Sequence, residues 1–344
     1  MKIILIIIAI LYMLSVKGNV DMRTGNFYST FTDVVFDQSP DLKMVRVYNT
    51  QSEYSGLFGH GWSSNLETHL QLLANNRILV RDFGGGSMTY FKGSANFPEG
   101  TIFETEQYGY EVLTKIKDGF KRLTHEGTFE YFDDQGYLKE IINSSTNSMI
   151  LISYDVHYKI DRVSDNLQHE LLFSYNELGF VETVRGTNVG TATYKYTSVG
   201  SIYLLHSSED ISSNRYQYQY DDKGKMTGIR YADEKTMNIT YDDKYRVLKE
   251  VSKGGSYTEY IYNEDKRDPE FHFLREARTY DSNGRMIKKI NKEFRFKLDE
   301  NNHLLLTYYK KNDKSDSGNL KSSMKMKFKG TGMPYDSYSS IFDD

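Results

Sequence analysis

The 344-residue chain contains no cysteine, only 4 prolines and a single tryptophan. Without cysteine there is no disulfide, no thiolate metal site and no thiol nucleophile. The scarcity of proline leaves long stretches free to pair as strands. Neither sign of charge dominates. Lys and Arg total 43 against 47 Asp and Glu, a net charge of −4 with both signs interspersed. A protein whose main partner is nucleic acid needs a basic face, so that partner is not expected.

Long apolar runs are missing too, with one exception. Met1-Lys2 is followed by 14 apolar or small residues, Ile3 to Val16, then Lys17-Gly18-Asn19. A positive start, a short apolar stretch and small residues at the exit describe a signal peptide. The run is shorter than the about 20 residues a spanning helix needs. Val16 and Gly18 stand at −3 and −1 for cleavage before Asn19, and an uncleaved anchor is the alternative. Export to the periplasm, the cell surface or the medium follows, with no membrane span after cleavage. Removing residues 1–18 leaves 326, ample for a sizeable core.

What is abundant is tyrosine, 29 residues, with 19 Phe and 26 Gly. Aromatics with frequent turn residues favour β structure. The aromatics recur: Phe132, Tyr154, Tyr175, Tyr196, Tyr220, Tyr241, Tyr262 and Tyr280 are spaced by 22, 21, 21, 24, 21, 21 and 18 residues. All but Tyr196, followed by Thr197, precede an acidic or amide residue: Asp133, Asp155, Asn176, Asp221, Asp242, Asn263 and Asp281. A turn with Gly or a substitute follows, as in Asp221-Asp222-Lys223-Gly224, and then a short alternating strand such as Phe180-Val181-Glu182-Thr183-Val184. In each unit the aromatic ends a strand with its ring on the buried face. The Asp or Asn caps the turn by accepting backbone N–H bonds one or two residues on. Gly supplies the positive φ, and the next strand returns antiparallel. One such unit cannot bury its own face, so neighbours must stack.

The repeated frame Y-D-x-x-G resembles the YD repeats of Rhs proteins, of insecticidal toxin-complex C subunits and of teneurins. An opening motif strengthens the resemblance: Val20-Asp21-Met22-Arg23-Thr24-Gly25-Asn26-Phe27, then Val45-Arg46-Val47-Tyr48-Asn49-Thr50, then Gly56-Leu57-Phe58-Gly59-His60-Gly61-Trp62-Ser63-Ser64-Asn65. Thr24, Gly25, Asn26, Tyr48, Asn49, Gly59, Gly61 and Trp62 are its marker positions. The resemblance covers about residues 20–300. It implies an all-β fold of tandem antiparallel hairpins in a curved or spiralling sheet, a partial cage. The expected organisation is an N-terminal subdomain at 19–130, the repeat sheet at 131–309, and a polar linker, a last strand and a mobile tail at 310–344. The run Leu304–Tyr309 is expected either to close the end of the sheet or to be an edge for oligomer formation.

Catalytic signatures are weak. Gly56, Gly59 and Gly61 lack the Lys-Ser/Thr pair and following helix of a phosphate loop. The eight His have no metal-ligand spacing, no nucleophile elbow occurs, and turn capping accounts for the repeat carboxylates. No cofactor and no enzymatic activity are expected. Full-length Rhs proteins end their shell with D-P-x-G elements that license self-cleavage and release of a toxin. Here the only Asp-Pro is Asp268-Pro269, followed by Glu270-Phe271, so neither property carries over. The expected function is an exported scaffold or interaction protein with a protein partner. A carbohydrate-binding adhesin, stacking tyrosines on sugars, and a remnant or accessory of a toxin system are the alternatives.

Overall fold

The computed structural model describes residues 17–73, 77–83, 88–92, 97–105, 111–124, 126–298, 304–315, 319–328 and 334–341. Residues 1–16, which hold most of the expected signal peptide, lie outside that set, as do Gly84–Gly86. The described residues contain strands and turns and no helix. Two antiparallel sheets carry the architecture. A four-stranded sheet joins Lys17–Asp21, Asn26–Phe36, Ser39–Asn49 and Trp62–Ser64 in that spatial order. From His69 onward 24 strands form one sheet in which each pairs antiparallel with the next along the chain.

The large sheet curves back upon itself. His69 bridges to Tyr137, and the Leu70 N–H donates to the Gly136 carbonyl at 2.9 Å, so the first strand lies against the turn after Phe132. Farther along it wraps the small sheet. Asp41 of the small sheet accepts from Thr146. The Asp33 carbonyl accepts from the Ile211 N–H, and the Gly25 carbonyl accepts from the Val247 N–H. In the strand Ser39–Asn49, Met44 to Tyr48 are all buried, side chains of both faces alike. A strand buried on both faces loses the period-2 alternation. Along the large sheet that alternation is clear: Ile150 and Ile152, Leu171 and Phe173, Tyr216 and Tyr218, and Met237 and Ile239 point inward at every second position.

Two expectations change. The N-terminal subdomain expected at 19–130 divides: only residues 17–64 form the separate sheet, while the strands from His69 to Phe132 belong to the same sheet as the repeats. Backbone pairing is continuous across residue 130, through the ladder joining Thr128–Phe132 to Leu138–Asn143. In the polar stretch 310–344 the described residues are mostly strand as well. Leu304–Lys314, Leu320–Phe328 and Pro334–Ile341 continue the sheet. The run Leu304–Tyr309, expected either to close the end of the sheet or to be a docking edge, is therefore interior, with Tyr309 opposite Phe294 on one side and Met326 on the other. Polar composition misled here because strands that are only half-covered keep lysines and serines on their open face.

Candidate functional site

The repeat aromatics do more than fill space. The Tyr154 hydroxyl donates to the Leu138 carbonyl, Tyr175 to Ile160, Tyr196 to Val181, Tyr220 to Leu205, Tyr241 to Met226 and Tyr262 to Val247, at 2.5–2.7 Å. Most of these acceptors sit at a β-bulge, where the sheet register slips as the preceding aromatic pairs: Phe132 with Leu138, Tyr154 with Ile160, Tyr175 with Val181, Tyr220 with Met226 and Tyr241 with Val247. A bulge tips a carbonyl out of the ladder, and the next tyrosine fills that vacancy. The period follows. Six residues run from an anchor to its bulge partner, and fifteen from there to the next hydroxyl donor, which makes 21. The 24-residue step before Tyr220 arises because Tyr196 pairs nine residues on, with Leu205, after the hairpin extends through Val199 and Ile202.

The repeat caps reach two and four residues along their turns. Asp133, Asp155, Asn176, Asp221, Asp242 and Asp281 each accept through Oδ1 from the N–H groups two and four residues on, at 2.8–3.1 Å. The residue three after the cap has positive φ: Gly136, Gly179, Gly224 and Gly284, but Tyr158 and Tyr245 after Asp155 and Asp242. Asn263 is a correction. It lies within the strand Tyr257–Asp265 opposite Leu274 and caps nothing, because the hairpin runs on to Asp265 and Asp268. Tyr280 stacks on Tyr257 at 4.7 Å between ring centroids. Phe132 has no hydroxyl and is simply buried.

The opening motif engages this ladder rung by rung. Trp62 Nε1 donates to the Tyr220 hydroxyl at 3.0 Å. The Tyr48 hydroxyl accepts from the Met226 N–H at 2.8 Å. Thr50 Oγ1 lies 3.2 Å from the Tyr241 hydroxyl. Gly25, at φ 76°, is pressed so closely on Arg246 that a Cβ would come within 2.4 Å of its side chain, and no other residue fits. Thr24 and Asn26 shape that turn: Thr24 Oγ1 donates to Asp21, and Asn26 Oδ1 accepts from the Gln51 N–H. Asn49 Oδ1 accepts from the same N–H. Gly59 and Gly61 have positive φ, and a Cβ on Gly61 would meet the Tyr48 ring at 2.8 Å. Burial pushes the Tyr220 and Tyr48 hydroxyls well above the ordinary tyrosine range, so both stay protonated.

At the centre stands a buried charge that is not among the marker positions of the opening motif. Arg46 is fully buried and pairs with Asp33, its Nη2 at 2.9 Å from Oδ1. Nη2 also donates to Ser208 Oγ at 3.0 Å, and the Tyr194 hydroxyl donates to Asp33. The guanidinium lies 4.9–5.9 Å from the ring centres of Phe31, Phe58, Trp62, Tyr194 and Tyr218. The signal was available: a charge inside Met44-Val45-Arg46-Val47-Tyr48, and an opposite one inside Thr32-Asp33-Val34-Val35. Two charges in apolar strands must find each other. A second polar cluster, Arg122 with Asp82, Glu111 and Glu130, holds the early strands of the large sheet together. Among the described residues no group of three or more His, Asp or Glu is arranged to hold a metal. The arrangement is one for binding two sheets together.

A family described as a domain of unknown function (DUF6531), associated with Rhs proteins, matches residues 17–90, the small sheet and the first strands of the large one. The probable deoxyribonuclease RhsB of Dickeya dadantii (strain 3937) is 22% identical over 248 residues, covering 63% of this chain. The chain is thus distantly similar to an Rhs protein over 63% of its length. It spans 17% of the length of RhsB. Among solved structures, TcdB2-TccC3-Cdc42 is 12% identical over 89% of this chain and 20% of that one, with a TM-score of 0.33. TcdB2-TccC3 without its hypervariable C-terminal region is 11% identical over 91% of this chain and 20% of that one, with a TM-score of 0.32. The Rhs-like likeness and the described geometry meet at the opening motif, whose markers lie inside the matched segment and against the tyrosine ladder.

Proposed function

We propose that this Rhs-like chain is an exported, non-enzymatic β-repeat scaffold, part of a shell-like sheet that engages a protein partner. One observation carries the reading. The polar groups that recur through the repeats are spent on structure, the hydroxyls on bulge carbonyls and the caps on turn N–H groups. A surface repeated in this way presents a long, regular face and holds it rigid. Export rests on the N-terminal apolar run. The strand Lys17–Asp21 survives cleavage before Asn19 largely intact, losing only the pairs of Lys17 with Thr30 and Gly18 with Ser29.

The test has two arms. N-terminal sequencing of the exported protein is expected to begin at or near Asn19; a chain that stays in the membrane and begins at Met1 overturns export. Incubated with duplex DNA and Mg²⁺, the purified protein is expected to leave the DNA intact. Cleavage that co-purifies with the chain and is lost on mutation of its own carboxylates would make it an enzyme and remove the scaffold reading.

A further inference from the structure

A trough of about 430 Å³ runs between the outer strand of the small sheet and the inner face of the large one. Its size falls in the range of about 300–1,000 Å³ typical of ligand sites. One wall is Val20 and Met22; the floor crosses five successive strands, from Glu250 to Lys311. At about 4.8 Å per strand that floor is about 19 Å long. The trough is narrow, and its length matches about six residues of extended chain at about 3.3 Å each.

Apart from Glu250 at its far end, whose carboxyl burial raises to about 7, the charge in the trough is unbalanced at one place. Lys292 and Lys311 are direct cross-strand partners and both line it. Like charges in that relation repel. Their neighbours are neutralised: Lys288 pairs with Asp313 at 3.1 Å, and Lys289 with Glu276 at 2.8 Å. Among the described residues no carboxylate lies within ion-pair distance of Lys292 or Lys311. Burial holds the Lys292 ammonium below its ordinary pKa, Lys311 pushes it down further, and Asp21 offsets them in part. Hydroxyls line the trough alongside, with Thr258 and Thr279 bonded to each other at 3.1 Å. Ala277 and Ile290 add apolar contacts.

We propose that this trough binds an extended acidic peptide, with one carboxylate seated between Lys292 and Lys311. The inference rests on the interaction-protein reading and specifies the chemistry of the partner. A carboxylate has two oxygens, one for each ammonium, and turns a repulsive pair into a bridged one. The narrow section and the Val20, Met22 and Ile290 contacts suit a peptide backbone with an occasional apolar side chain.

The test uses the full chain and fluorescein-labelled six-residue peptides rich in Glu, Gln or Lys, read by anisotropy. The Glu peptide is expected to bind at least tenfold more tightly than the other two. Lys292→Met and Lys311→Met are expected to weaken it at least tenfold with an unchanged or higher Tm, since each removes a repulsion. Lys292→Arg is expected to retain binding, and Lys223→Met, which removes an exposed charge elsewhere, to leave it unchanged. Equal binding of the Glu and Gln peptides, or of the wild type and both Met variants, overturns the proposal. If acidic peptide still binds but ignores both lysines, the interaction-protein reading stands and only the trough is lost. Lysine-dependent binding of an oligogalacturonate with none of the Glu peptide overturns it in favour of an acidic glycan.

Discussion

Replacing a rung hydroxyl tests the ladder most directly, and two rungs make the test quantitative. Tyr175 makes one tie, donating to the Ile160 carbonyl at 2.7 Å. Tyr220 makes the same tie to Leu205 and also accepts from Trp62 Nε1. A net hydrogen bond contributes about 1 kcal/mol, and a buried donor left without a partner costs about 1–3 kcal/mol. Trp62 is fully buried, so water cannot replace the lost acceptor without opening the core. Tyr175→Phe is therefore expected to cost about 1 kcal/mol, and Tyr220→Phe about 2–4 kcal/mol. The assay is urea denaturation followed by tryptophan fluorescence and far-UV circular dichroism, comparing midpoints at constant m. The sole tryptophan is the residue stranded, so Tyr220→Phe should also shift its emission while Tyr175→Phe leaves it unchanged. Losses equal to within about 0.5 kcal/mol would refute the claim that the opening motif is bonded through this rung.

The Arg46–Asp33 pair should be costly to break and cheaper to remove: Arg46→Ala or Asp33→Ala is expected to lose about 3–5 kcal/mol, and the double variant Arg46→Met with Asp33→Leu clearly less, as measured by Tm and urea midpoint. Gly136→Ala should destabilise far more than Gly224→Ala, because the added Cβ would lie 2.0 Å from the Leu70 carbonyl in the first case and 3.5 Å from a Leu204 methyl in the second. Gln168→Gly, at φ 70° and exposed, should instead stabilise by about 0.5–1 kcal/mol; a loss would contradict the backbone conformation. Burial raises the Glu250 carboxyl from 4.5 to about 7, and the folded state binds that proton more tightly. Its contribution is thus full below pH 4.5 and lost as pH rises through 7, at most about 3 kcal/mol, so Glu250→Gln should raise Tm at pH 8 and leave it nearly unchanged at pH 4.5.

Much of this was legible in the chain. The aromatic-acid dipeptides located the bulges and caps because both need a particular residue type at a fixed offset. The hydroxyl ties were not legible, although they set the spacing. A Tyr and a Phe look alike as core aromatics, and only the carbonyl tipped out at Ile160 or Val181 makes the oxygen necessary. Asn263 misled because an aromatic-amide pair in the middle of a long strand has the same spelling as one at a turn. The same holds beyond residue 310, where composition was read as a linker, a last strand and a mobile tail although the strands Leu320–Phe328 and Pro334–Ile341 both pair with their neighbours. Arg46 and Asp33 lie 13 residues apart on adjacent strands, a pairing that becomes visible only once the register is known.

The contacts of the small sheet also fix a count. Gly25 meets Val247, Tyr48 meets Met226 and Trp62 meets Tyr220, while His69, a few residues farther on, meets Tyr137. The chain between Tyr137 and Tyr220 is therefore held against residues 33–62 at several points, through Thr146, Val181 and Ile211, and its length is fixed. An array of repeats usually tolerates duplication, since each unit touches only its neighbours. This one should not tolerate it everywhere. A 21-residue duplication inserted beyond Lys311, on the last strand that lines the trough with Val20 and Met22, adds a step past the opening motif, whereas the same insertion between Tyr154 and Tyr220 brings the wrong rung to Trp62. The small sheet acts as a gauge on which the length of the first turn is measured, and growth is confined to the far end.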